Sequence, residues 1–213
     1  MEGPGLQGAS SPSKGIAARL WAAARTEFST RGYHGARVQG IARRAGCNVA
    51  LLYRHWASKR ALYLDILKAT WLGNLKQVTA LLGESGGAVG VVGAYLDARI
   101  ADPEASQILV REYLDGGPFL SELVAGDPAL MEPVRELAET LRGGNGHALR
   151  PGIDPTMAVA TIGSLAALVA AAQEAARPFL PPPGPSNEDW KRHTADLLLF
   201  GLLGAGPDYP RGA

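Results

Sequence analysis

Acidic residues are nearly missing from the first third of this 213-residue chain. Residues 1–64 carry ten Lys/Arg against only Glu2 and Glu27, a net of +8. Residues 65–213 carry eleven Lys/Arg against eighteen Asp/Glu, a net of −7. The formal charge of +1 therefore hides a basic segment joined to an acidic remainder. That asymmetry suits a first part that meets a polyanion, although a solvated charged face would give the same numbers. Cysteine is down to one residue, Cys47, which excludes an intrachain disulfide framework and a cysteine-clustered zinc site. Cys47 reads as a small buried hydrophobe. The histidines (His34, His55, His147, His193) show no metal-ligand spacing, so neither a metal nor a cofactor is expected. No nucleophile elbow, phosphate-binding loop or dinucleotide fingerprint occurs, and the chain does not read as an enzyme. The first fifteen residues are Gly/Ser/Pro-rich rather than apolar, unlike a signal peptide, so the expected location is the cytoplasm.

Strand-type alternation is lacking too. Apolar residues recur at helical spacing almost everywhere, which defines an all-α class. After a flexible tail at residues 1–13, Ser13 can cap a helix over 14–30. Its apolar face would be Ile16, Leu20, Ala23, Ala24 and Phe28, and Gly32 would stop it. A second, short helix fits 37–45, with Val38, Ile41, Ala42 and Ala45 inward. Gly46 breaks it, and Asn48 can cap a third helix over 49–56 that buries Leu52 and Trp56. Two helices joined by a three-residue turn can place the second in the DNA major groove. A plain three-helix core would have the same apolar pattern. The positive excess, with Tyr53, Arg54 and His55 off the apolar face, favours a DNA reader.

Residues 16–67 resemble the N-terminal domain of TetR (tetracycline-repressor-type) transcriptional regulators. The resemblance rests on Ala23-Ala24, Phe28, Gly32-Tyr33, Val38, Ile41-Ala42, Ala45-Gly46, Leu52-Tyr53, Ser58-Lys59 and Leu62, in order and at unbroken spacing. It implies a helix-turn-helix domain at 14–60 and a larger helical ligand-binding and dimerisation domain at 61–205, before a tail at 206–213. The chain departs from the family pattern at Ala36-Arg37, where a Ser/Thr cap is usual, and at Val49-Ala50-Leu51, the first recognition slots. Val49 and Leu51 offer base edges only apolar contact, such as to thymine methyls. By slot, the DNA-binding candidates are Arg37, Arg44, Asn48, Val49, Ala50, Leu51, Tyr53, Arg54, His55 and Lys59. Arg44, Tyr53, His55 and Lys59 fall nearest the phosphates.

Beyond residue 58 helices fit 58–82, 88–101, 104–114, one interrupted region over 119–142, 155–177 and 186–203. Asp102-Pro103 and Asp154-Pro155 are cap-plus-proline starts. Glycine loops at 83–87 and 143–146 and a Pro-rich loop at 178–185 separate the helices. Residues 156–173 contain no charge, but they have neither aromatic anchors nor a flanking basic cluster, so no membrane span is expected. Surplus apolar surface on 155–177 and 186–203 points to a homodimer through these two helices, as the resemblance also implies. Candidate lining residues for an effector pocket are Trp71, Leu75, Tyr95, Leu109, Tyr113, Phe119, Met131 and Leu165. Arg111 and Glu112 could pair structurally or touch ligand. The expected partners are an operator in double-stranded DNA and a small-molecule effector, with repression the expected outcome. The rival is a binding protein on the same fold that has lost specific DNA recognition.

Overall fold

The computed structural model describes residues 12–82, 87–143, 149 and 152–202. Most of the tail expected at 1–13, the tail at 206–213, the interiors of the two glycine loops and His147 lie outside the described residues. Among the described residues there is no strand. Ten α-helices follow one another: α1 (Pro12–Gly35), α2 (Val38–Arg44), α3 (Val49–His55), α4 (Lys59–Leu81), α5 (Gly87–Ala101), α6 (Pro103–Leu114), α7 (Pro118–Gly126), α8 (Glu132–Gly143), α9 (Pro155–Ala176) and α10 (Asn187–Leu202). The chain divides into two compact units, Met1–Ile66 and Leu67–Ala213, so the first turns of α4 belong to the N-terminal unit.

In the N-terminal unit the apolar face of α1 is buried at Leu20, Ala23, Ala24 and Phe28, and meets Ile41 and Ala42 of α2, Leu52 of α3 and Leu62, Tyr63 and Ile66 of α4 in one small core. The Phe28 and Tyr63 rings meet edge to face at 4.9 Å. The helix begins at Pro12, so Ser13 lies inside it and is not the N-cap. Gly32, expected to stop the helix as a left-handed cap, instead kinks it at φ 65°, ψ 178°, and helical turns resume as far as Gly35. Packing between α1 and α2 is close. A Cβ at Gly40 would stand 2.8 Å from Glu27 Oε1, and Glu27 is itself buried and ion-paired with Arg31 at 3.3 Å. Such a short helix as α2 is stabilised by this packing rather than by its own propensity. Trp56 is only half-buried. It shares the apolar face with Leu52, but its Nε1 donates to Asp65 at 2.9 Å.

The C-terminal unit is organised on α9, which packs on α5, α6 and α8. By length and composition α9 could cross a membrane over Pro155–Gln173. Here Ala158, Val159, Ile162, Ala166 and Ala167 are buried against neighbouring helices, and its small residues let those helices approach. Both cap-plus-proline starts are realised. Asp102 accepts from the Ala105 N–H at 3.0 Å, and Asp154 from the Met157 N–H at 2.8 Å. Glu112 is 1 % exposed, and its Oε1 accepts from the N–H groups of Phe119 and Leu120 at 2.8 and 2.9 Å. An anion at the start of α7 matches the unsatisfied donors and the dipole there. That settles Glu112 in a structural role, while Arg111 is exposed. The interrupted region resolves into α7, a 3-10 turn at Pro128–Met131, and α8. Pro178 lies not in a loop but in a second 3-10 turn, Arg177–Phe179. A proline in the first turn of a helix forfeits no intrahelical bond.

Candidate functional site

The turn between α2 and α3 is built by backbone hydrogen bonds. The Cys47 N–H donates to the Ala42 carbonyl at 3.0 Å and the Gly46 N–H to that of Arg43 at 3.2 Å, with Gly46 at φ 67°. This is a Schellman ending, and the left-handed residue it requires is held by glycine. Cys47 is half-buried in the turn rather than fully buried. Asn48 then accepts from the Leu51 N–H at 3.0 Å and starts α3. The capping oxygen of Asn48 is thus committed to the helix.

The remaining DNA candidates separate by exposure. Arg37, Arg44, Ala50, Tyr53, Arg54 and His55 are exposed, whereas Val49 and Leu51 are half-buried and turned partly towards the core. Arg37 makes no capping hydrogen bond to α2. The first turns of α2, α3 and α4 hold no acidic residue, so their positive dipole ends meet no carboxylate of their own helix. Among the described residues of this unit the only acids are buried Glu27 and Asp65. The exposed face around α3 is therefore strongly positive.

Lys59 differs from its expected role. Its ammonium donates to the carbonyls of Tyr33 (2.8 Å) and Ala36 (3.1 Å) and lies 4.4 Å from the centre of the Tyr33 ring. Those partners occupy the link between α1 and α2. Lys59, expected as a phosphate contact, instead ties the first turn of α4 to that link. Proximity in sequence to the family's basic slot was visible; the carbonyls that would claim the ammonium were not.

The C-terminal unit holds a partly open cavity of about 270 Å³, and apolar side chains make up most of its wall. Of the eight candidates, Trp71, Leu75, Tyr95, Tyr113 and Met131 line it. Leu109 does not, being fully buried in the helix packing; Phe119 gives its place to Leu120, and Leu165 faces outward at 37 % exposure. Leu165 follows Ser164, which does line the cavity, and one residue along a helix turns a side chain by about 100°, enough to take it off the cavity wall.

Asn74 and Arg99 also line the cavity, and neither was expected there. Both are buried, at 6 % and 2 % exposure. Asn74 recurs in phase with Trp71, Leu75 and Val78, and Arg99 with Val92 and Tyr95. A polar residue in step with a buried stripe was the available signal. Arg99 hydrogen-bonds Tyr113, which hydrogen-bonds Ser164; the Ser164 hydroxyl in turn donates to the Ala160 carbonyl at 2.8 Å. Burial lowers the Arg99 pKa from its ordinary value, with Tyr113 and Tyr95 opposing the shift. Burial raises Tyr95 and Tyr113, with Arg99 opposing it.

A basic helix-turn-helix thus stands in one unit and a largely apolar cavity in the other. Residues 20–66 match the profile described as bacterial regulatory proteins, tetR family. The N-terminal unit is thus similar to the DNA-binding domain of that family over these residues. The HTH-type transcriptional regulator RutR of Escherichia coli K12 is 31% identical over 111 residues, 51% of this chain and 52% of RutR. The chain spans about half the length of the curated relatives it matches at this level. The fold as a whole is similar to that of SCO4942 from Streptomyces coelicolor, with TM-score 0.65 and 23% identity over 88% of this chain and 98% of that one. It is also similar to a Saccharomonospora viridis protein solved in complex with choline, with TM-score 0.63 and 18% identity over 90% and 98% of the two chains.

Proposed function

We propose that the protein is a cytoplasmic, homodimeric transcriptional repressor that leaves its operator when a small molecule occupies the cavity. The observation that carries this is the exposed set Arg37, Arg44, Tyr53, Arg54 and His55 around a glycine-turned helix pair, on a face without exposed acid except Asp65. Arg54 and Tyr53 are the residues we assign to base edges, with Arg37, Arg44 and His55 on phosphate. Half-buried Val49 and Leu51 contribute mainly packing. Their withdrawal is also the one observation favouring a fold that binds ligand without reading DNA.

The dimer surface follows from α9. Met157, Thr161, Leu165, Leu168 and Ala172 are exposed at three- and four-residue steps, a stripe that a second copy of the helix would cover. Exposed Leu197 extends the apolar surface onto α10. Ligand release of DNA requires that the effector bind the two states with different affinity. A gel-shift series with DNA flanking the protein's own gene tests the proposal. A sequence-selective, salt-dependent complex supports it, and no sequence preference at any salt refutes it.

A further inference from the structure

An arginine in an apolar wall is an expensive placement, because a buried ion loses its hydration and recovers it only through partners. Arg99 is 2 % exposed, lines the cavity, and its Nε and Nη1 have no hydrogen-bond partner. The nearby carboxylates are engaged elsewhere: Asp102 caps α6 and Glu112 holds the start of α7. Tyr113 satisfies only part of the guanidinium. Three N–H donors on Nε and Nη1 thus border a mostly apolar chamber, and Asp102, the acid whose charge acts on the guanidinium, is committed to capping α6.

We propose that the cavity binds a small apolar carboxylic acid, whose carboxylate accepts from Arg99 while its body packs against Trp71, Leu75 and Met131. This rests on the effector-binding reading above and names the ligand class. A carboxylate supplies acceptors for the unpaired Nε and Nη1 together with charge close to the guanidinium, and such charge-assisted bonds are the strong ones. Size narrows the class. A cavity of about 270 Å³ lies just below the usual range of small-molecule pockets, which suits an acid with a small apolar body. Asn74, whose Oδ1 also lacks a partner, offers a second polar anchor for a hydroxyl or N–H on the ligand.

The test is calorimetric titration of the full chain with hexanoate, octanoate, benzoate and phenylacetate, each paired with its primary amide. The expected result is at least one acid binding about tenfold or more tighter than its amide, since the amide keeps the shape and loses the charge. In Arg99→Met the preference falls to about parity while the amide affinity is retained, and Arg99→Lys keeps a preference for the acid. A merely structural Arg99 would weaken acid and amide alike. Should Arg99→Met fail to fold, the wild-type and Arg99→Lys titrations decide alone. No binding by any acid, equal binding of acids and amides, or a preference undiminished in Arg99→Met overturns the assignment. Gel shifts with the same compounds separate it from the regulatory proposal. Acid binding without DNA release refutes release and leaves the ligand class intact. Release by neutral or cationic compounds alone refutes the ligand class and leaves regulation intact.

Discussion

Replacing Lys59 by Met removes the ammonium while keeping most of the apolar stem, and the structure sets what is lost. Two charge-assisted hydrogen bonds go, to the carbonyls of Tyr33 and Ala36 at 2.8 and 3.1 Å, together with the contact to the Tyr33 ring. Hydrogen bonds involving a charged group contribute about 1.5–3 kcal/mol each when buried, and an exposed cation–π contact about 0.5–1. Both bonds are only part-buried and the Tyr33 carbonyl can take water instead, so each counts near or below the lower figure. Ala36 is buried and its carbonyl is less easily rehydrated. The expected destabilisation is about 2–4 kcal/mol. Urea unfolding monitored by tryptophan fluorescence reads it, because Trp21 and Trp56 both lie in the N-terminal unit. A second measurement separates this clamp from a phosphate contact. Each lost phosphate contact lowers the slope of log affinity against log salt by about 0.9, so a two-fold dimer would lose about 1.8. Lys59→Met should leave the slope unchanged under conditions where the protein is folded. Exposed Arg54→Ala should lower DNA affinity while leaving stability within about 0.5 kcal/mol. A Lys59→Met protein of wild-type stability with a reduced salt slope would show that the ammonium serves DNA and not the fold.

Gly46→Ala forces a Cβ into the left-handed position of the α2–α3 turn and should destabilise the N-terminal unit by about 1–2 kcal/mol, measured by urea midpoint. A stability equal to wild type would mean that the turn does not need this geometry. Leu168→Glu, in the middle of the exposed α9 stripe, should convert a dimer to a monomer in sedimentation velocity, with helicity retained. A dimer persisting at low micromolar concentration would place the interface elsewhere. At Gly163 a Cβ would stand 3.0 Å from Tyr95 Cε1, so Gly163→Ala should press the Tyr95 ring towards the cavity. Acid affinity in calorimetry should then fall by about 5–10-fold, the low end of the roughly 1–3 kcal/mol that extra volume typically costs in a packed site. Unchanged affinity would show that the ring yields away from the ligand.

Much of the helical framework was legible along the chain. The break at Gly46, the caps at Asn48, Asp102 and Asp154, and the apolar faces of α1 and α3 depend on residues close in sequence. The 3.6-residue period and local hydrogen bonding report such features directly. The errors have the same origin in reverse. Ser13 was a plausible cap by type, but the helix found its start at Pro12. Leu109, Phe119 and Leu165 had the right chemistry for a pocket, and which side of a buried helix faces a cavity depends on neighbours far along the chain.

By itself the sequence determined the helical class, the basic helix-turn-helix and its likeness to a regulator family, because local propensity, charge composition and motif spacing are one-dimensional quantities. Only the tertiary structure decided that Lys59 serves the carbonyls of residues more than twenty positions earlier. It alone showed Glu112 held by the amides that open α7, and Arg99 buried at a cavity without an acceptor for two of its nitrogens. Hydrogen-bond partners and desolvation belong to atoms brought together by packing, and no periodicity in the chain encodes which of them meet.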